Sequence, residues 1–262
     1  MLKVENIYKT FNQGTVNEKH ALNGVSLTLN DGEFVTVIGS NGAGKSTLLN
    51  AIAGIWNIDS GKIMIDDNDL TKLPDYKRAK YIGRVFQDPM TGTAATMQIE
   101  ENMALAKRRG QKRTLKVGIT DAEREEYKAL LKELNLGLED RLTSKVGLLS
   151  GGQRQALTLL MATMQKPRLL LLDEHTAALD PKTASKVLTL TDKLVKENNL
   201  TTFMVTHNMR DALKYGTRLI MMCDGKIIYD VSGEEKNKLE VSDLLEKFDT
   251  AGGVVTDSMM LG

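Results

Sequence analysis

The sequence predicts an α/β fold in which helices cover a mainly parallel sheet. Three observations point there. Short apolar runs of strand character alternate with helix-like segments. The run at 34–38 (FVTVI) passes straight into a glycine-rich turn and then into the apolar, helix-like LLNAIAG. Two further runs, 169–173 (LLLLD) and 202–206 (TFMVT), are short, leucine-rich or β-branched, and bounded by polar residues.

Composition sets the bounds on function. A chain of 262 residues is long enough for one to two domains and a sizeable core. Its 35 Lys and Arg nearly cancel its 34 Asp and Glu, so there is no global basic field to hold nucleic acid. Aromatics, at 5%, are too few for a base-stacking platform. The single cysteine, Cys223, has no partner for an internal disulfide, which fits a reducing compartment. No apolar run reaches the roughly 18 residues that span a bilayer, and residues 1–10 lack the order of a secretory signal.

Residues 88–153 change character: strand signals vanish, and apolar spacing of helical period appears at 127–136 (YKALLKELNL). This predicts a helical insertion that divides the core into 1–87 and 154–249. The insertion holds a basic cluster (Lys107, Arg108, Arg109, Lys112, Arg113, Lys116) and an acidic one (Asp121, Glu123, Glu125, Glu126). Such runs are ordinarily solvated faces; the alternative is contact with a membrane surface or partner protein. After the strand at 202–206, residues 218–223 and 226–230 flank an Asp224-Gly225 turn and read as a hairpin. Residues 250–262 read as a loosely held tail.

The glycine-rich turn spells Gly39, Ser40, Asn41, Gly42, Ala43, Gly44, Lys45, Ser46, the phosphate-binding loop pattern in its strand-to-helix context. Glycines at 39, 42 and 44 let the backbone curl around phosphates, and the amides that start the helix supply donors and a positive dipole end. Lys45 suits the β- and γ-phosphates, Ser46 a magnesium ion, and Thr47 an α-phosphate. Asp173 and Glu174 close the leucine strand, at the sheet edge that carries ligands. Asp173 suits the magnesium shell and Glu174 a general base for the attacking water.

Residues 149–153 spell LSGGQ and run into RQALTLLMATM, which has the composition of a buried helix. With the phosphate loop before it and the Asp-Glu pair after it, the chain resembles the ATPase subunit of the ATP-binding cassette (ABC) family over residues 2–246. The resemblance implies a P-loop NTPase core, an N-terminal antiparallel β portion and a helical subdomain carrying LSGGQ. It implies ATP hydrolysis with ATP and Mg2+, and a head-to-tail dimer in which Ser150, Gly151, Gly152 and Gln153 close over the ATP of a second copy. Residue chemistry agrees: a hydroxyl, unhindered amides and the positive end of a helix suit a γ-phosphate.

By the same resemblance, Gln87 senses magnesium and the attacking water, and His207 contacts the γ-phosphate and keeps Glu174 in register. Asp180 faces the dimer partner. Phe11, or the nearby Tyr8, stacks on adenine. The family's usual proline after the glutamate is His175 here, which leaves either a packing role or an influence on Glu174. His20 has no motif around it and reads as a surface residue.

The resemblance further implies integral-membrane permease subunits as partners and a place on the cytoplasmic face of the membrane. Met90, Met97 and Met103 either line the permease groove or pack in the core. A single cassette without fused spans looks most like a subunit of a bacterial uptake system, with a solute-binding protein in the same system. The form DEHTAALDP is similar to a bacterial subset associated with amino-acid-like solutes. An export subunit is the nearest alternative, and no local motif separates it from import. A soluble cassette acting on nucleic acid or ribosomes would carry two cassettes or a long coiled-coil insertion. A GTPase would carry N-K-x-D, and the nearest string, at 237–240, ends wrongly.

Overall fold

The computed structural model describes residues 1–111 and 118–250. Two sheets form its frame. Strands β1 (Leu2–Phe11), β2 (Lys19–Leu29), β4 (Ser60–Ile65) and β5 (Asn68–Asp69) make an antiparallel sheet in the order β2-β1-β4-β5. Strands β3 (Phe34–Gly39), β6 (Ile82–Val85), β7 (Leu169–Asp173), β8 (Thr202–Val205), β9 (Arg218–Cys223) and β10 (Lys226–Ser232) make the second sheet, in the order β10-β9-β3-β8-β7-β6. All its pairs are parallel except β9-β10. That exception is the expected hairpin, with Asp224 and Gly225 both at positive φ, as a tight two-residue turn requires.

The apolar runs that look alike in sequence are buried on both faces because helices lie on either side. Leu169, Leu170, Leu171 and Leu172 are fully buried. Leu169 and Leu171 pack with Leu48 and Ile52 of α1 (Lys45–Ala53), while Leu170 and Leu172 pack with Leu188 and Leu194 of α6 (Pro181–Glu197). Small elements finish the frame: α2 (Asp75–Arg78), α7 (Met209–Lys214), α8 (Gly233–Asn237) and α9 (Val241–Thr250). The buried Lys236 ammonium donates to the carbonyls of Leu213, Tyr215 and Gly216 and so closes the end of α7.

The inserted region holds α3 (Ile99–Lys107), α4 (Asp121–Lys132) and the start of α5 (Gly151–Thr163). Ile99, Met103, Tyr127, Leu131, Leu157 and Leu160 share a core of their own. The boundary expected after residue 153 falls inside α5, which serves two cores: Leu157 and Leu160 face the helical one, Leu159 and Ala162 the sheet.

Charge clusters separated in sequence meet in space. Lys107 pairs with Glu126, Arg108 with Glu123, and Arg109 is half-buried and donates to the carbonyl of Ala162. These three basic residues are thus committed within the chain; Lys112, Arg113 and Lys116 lie outside the described residues, as do 251–262 of the expected tail. Met103 is fully buried in the helical core and does not line a groove, whereas Met90 is exposed. No helix among the described residues is long and apolar enough to cross a membrane.

Candidate nucleotide-binding site

The phosphate loop sits where β3 hands over to α1, and two glycines show why. Gly44 caps α1 at φ +99°, a left-handed conformation that L side chains avoid. At Gly39 a Cβ would collide with the Met222 carbonyl of β9. The buried Lys45 ammonium folds back onto the loop, donating to the carbonyls of Gly39 at 2.6 Å and Ser40 at 3.1 Å. Burial lowers its pKa, and the charges of Glu174 and Asp173 oppose that shift.

A cavity of about 390 Å³ opens over the loop. Asn41, Gly42, Ala43, Gly44, Lys45, Ser46 and Thr47 line it, with Glu174 on one wall and Phe11 on another. Of the two aromatics in contention, Phe11 lines the cavity and Tyr8 does not. The Phe11 ring is braced edge-on by Trp56, with ring centroids 5.4 Å apart. Sequence reasoning missed Trp56, and it missed Lys19 and Ala21, which also line the cavity. No motif marks these residues; strand pairing alone brings β2 to the loop.

Glu174 follows the last residue of β7 in a left-handed backbone conformation, φ +43°. For a side chain with a Cβ this is strained, and strain of this kind collects at functional sites. The conformation is fixed by the Glu174 N–H donating to the Val205 carbonyl, and by the Glu174 carbonyl accepting from Ala177. The carboxylate lies 3.5 Å from His207 Nδ1. Hydrogen bonding to His207 lowers the Glu174 pKa, and the same contact raises that of His207.

Asp173 is half-buried and accepts from Arg84 on β6 at 2.9 Å, a partner the sequence did not suggest. Burial raises the Asp173 pKa, against the pull of Arg84. His175 is fully buried, with Nε2 3.0 Å from the Thr191 hydroxyl of α6. That hydroxyl donates its one proton to the Val187 carbonyl, so the imidazole donates from Nε2. Burial pushes its pKa down to about 4. His20 is exposed, as expected.

The remaining expected site residues stand elsewhere. Gln87 is exposed beyond the end of β6 and does not line the cavity. Asp180 caps α6, accepting from the Thr183 N–H. Ser150 caps α5 in a reciprocal box with Gln153, the Ser150 hydroxyl accepting from the Gln153 N–H and the Gln153 side chain from the Ser150 N–H. Ser150 and Gly151 are exposed, and the 150–153 segment does not line the cavity of its own chain. A Cβ at Gly152 would strike the Thr183 methyl of α6, so α5 and α6 approach closely at this glycine and a side chain here would force Thr183 to turn aside.

Comparison with known proteins agrees with this geometry. The ABC transporter family matches residues 22–177. A tyrosine transport ATP-binding protein of Clostridioides difficile is 47% identical over 96% of this chain and 100% of its own length. An energy-coupling factor transporter ATP-binding protein of Clostridium acetobutylicum is 35% identical over 97% of this chain and 87% of its own. Among solved structures, the ADP conformation of an ABC transporter cassette superimposes with a TM-score of 0.78 at 30% identity, covering 95% of this chain and 98% of that one. A dimeric cassette in a post-hydrolysis state with ADP and Pi gives 0.75 at 31% identity, covering 88% and 98%. A phosphate loop, a strained glutamate beside a histidine, and these relatives converge: the chain belongs to the ABC transporter family and is an ATP-binding, ATP-hydrolysing cassette.

Proposed function

We propose that two copies of this chain close head to tail around two ATP molecules, and that closing and reopening of the dimer drive uptake of a solute through permease subunits. The observation that carries this reading is the placement of Ser150 and Gly151, which open α5 at the surface and do not line their own chain's cavity. An exposed hydroxyl and free amides at a helix start suit an anion. The γ-phosphate held by a second copy is that anion. Support also comes from the dimeric cassette that holds ADP and Pi.

Within each half, the loop amides and Lys45 hold the β- and γ-phosphates, Thr47 the α-phosphate, and Phe11 the adenine face. Ser46 and Asp173 offer a hydroxyl and a carboxylate, hard oxygen donors that fit magnesium, which takes one or two protein oxygens beside phosphate and water. Held by Ser46 and Asp173, a magnesium ion would supply charge neutralisation at the phosphates. Glu174 accepts the proton of the attacking water as it adds in line to the γ-phosphorus, and ADP leaves. His207 steadies Glu174 and contacts the γ-phosphate. Gln87 and Asp180 join on closure, Gln87 at the metal and water and Asp180 at the partner's face. ATP binds the closed state better than the open one, so hydrolysis reopens the dimer.

The helical subdomain at 88–153 carries LSGGQ and meets the permease; residues 1–87 and 154–249 form the nucleotide-binding core. Import is favoured because the similar proteins include ATP-binding proteins of tyrosine transport and of phosphonate and spermidine/putrescine import. The tyrosine transport relative, at 47% identity, favours an amino-acid-like solute and a solute-binding protein as a further partner. On this reading the chain works at the cytoplasmic face of the membrane, held there through its permease.

The test pairs two measurements. Ser150→Phe is expected to leave ATP affinity of the monomer unchanged and to reduce turnover about a hundredfold, the scale of losing one preorganised phosphate donor. An unaffected rate rejects the trans role. Affinity purification of the tagged chain from detergent-solubilised membranes is expected to bring down multi-spanning subunits; recovery of the chain alone rejects the permease assignment.

A further inference from the structure

Arg84 is the one arginine of β6, and its burial calls for a reason. Its side chain is 12% exposed, and among the described residues Nε and one terminal nitrogen have no hydrogen-bond partner. Its hydrogen bond goes to Asp173 Oδ2, at 2.9 Å, and its guanidinium lies 4.5 Å from the centre of the Phe86 ring. Stability does not explain this arrangement. A buried ion pair commonly contributes nothing net, and donors left unsatisfied add a desolvation cost. Arg84 is paired with the buried Leu171 of β7, so an apolar side chain of similar length would pack here without that cost.

What the arginine does achieve is geometric. The planar guanidinium lies over the Phe86 ring and fixes the direction from which one carboxylate oxygen is held. Asp173 Oδ1 has no hydrogen bond among the described residues and stays available. The carboxylate is therefore pre-oriented, with one oxygen tied back toward β6 and the other free.

We propose that Arg84 is a positioning residue that holds the Asp173 carboxylate so that its free oxygen meets the divalent cation of the bound nucleotide. This rests on the reading of Asp173 as a metal donor. Partners that orient a metal-binding carboxylate typically account for 10- to 100-fold in metal affinity. Arg84 holds no nucleotide and lines no part of the cavity, so its effect passes through Asp173 alone.

Calorimetry with the full chain and AMP-PNP, in EDTA and in saturating magnesium, gives the factor by which metal strengthens nucleotide binding. In Arg84→Met that factor is expected to fall 10- to 100-fold while affinity in EDTA stays the same. Arg84→Lys, which keeps a charged donor but lacks the planar group that rests on Phe86, is expected to fall between the unaltered chain and Arg84→Met. If Arg84→Met does not fold, Arg84→Gln, two bonds shorter, takes its place with the same expectation. An unchanged metal factor, or an equal loss of affinity in EDTA, overturns the proposal. Asp173→Asn separates the two readings: if it lowers the metal factor while Arg84→Met does not, only the Arg84 role fails, and if it changes nothing, the metal reading of Asp173 fails with it.

Discussion

His207 Nδ1 stands 3.5 Å from the Glu174 carboxylate, and the two residues follow the ends of the adjacent parallel strands β8 and β7, more than thirty residues apart in the chain. The Val205 carbonyl, two residues before His207, accepts the Glu174 N–H and so sets this distance. Removing the carboxylate's charge while keeping its shape is the direct probe of the pair. Glu174→Gln is expected to bind ATP with unaltered affinity, to lose turnover by a factor of a hundred or more, and to run as a dimer in size-exclusion chromatography with ATP and magnesium. A monomer under those conditions contradicts the head-to-tail dimer.

Lys45 is buried, and its ammonium bonds only to loop carbonyls among the described residues. Lys45→Ala removes the cation from a site built for phosphate. ATP affinity measured by calorimetry is expected to fall at least a hundredfold, in keeping with a charge-assisted contact worth about 3 kcal/mol. Unchanged affinity contradicts the phosphate-loop assignment.

Phe11 and Tyr8 lie on the same strand, yet only Phe11 lines the cavity. Phe11→Ala is expected to raise the KM for ATP about five- to tenfold with kcat little changed, since ring stacking is worth about 1 kcal/mol. Tyr8→Ala is expected to leave both constants alone. The reverse pattern would assign adenine to Tyr8.

His175 is neutral in the folded chain, with a pKa near 4 against 6.5 when unfolded. Between those values the unfolded state binds a proton that the native state refuses, so stability falls as pH drops from about 6.5 to about 4. By pH 4.5 the loss amounts to about 2–3 kcal/mol. His175→Leu is expected to flatten that part of the acid limb in urea-unfolding curves taken at pH 7.5 and 4.5. An acid limb identical in both proteins would mean that His175 titrates normally.

The site was legible in sequence wherever its chemistry is local. A phosphate loop needs contiguous glycines and a helix start, and LSGGQ needs a cap and its helix, so residues 39–47 and 149–153 announce themselves. Arg84, Lys19 and Trp56 lie in no motif, and each reaches the site through strand pairing or packing across the fold. Gly152 shows the limit from the other side. Its place in LSGGQ suggested an amide for phosphate, whereas the close approach of the Thr183 methyl gives packing a share in favouring glycine there.

The charged insertion was the least legible part. Its basic and acidic runs read as separate solvated faces until α3 and α4 packed together and paired Lys107 with Glu126 and Arg108 with Glu123.

The order of apolar runs, glycine turns and helix caps thus determined by itself that the chain forms a helix-covered parallel sheet with a phosphate loop at the end of β3. Those signals are local, carried by backbone conformation and by side-chain periodicity over a few residues. Tertiary structure alone decided which aromatic lines the nucleotide cavity, which cation holds Asp173, and that Ser150 is exposed without lining its own chain's cavity. Those outcomes depend on the order in which parallel strands pair and on how α5 docks, and strand order leaves no mark within any single strand.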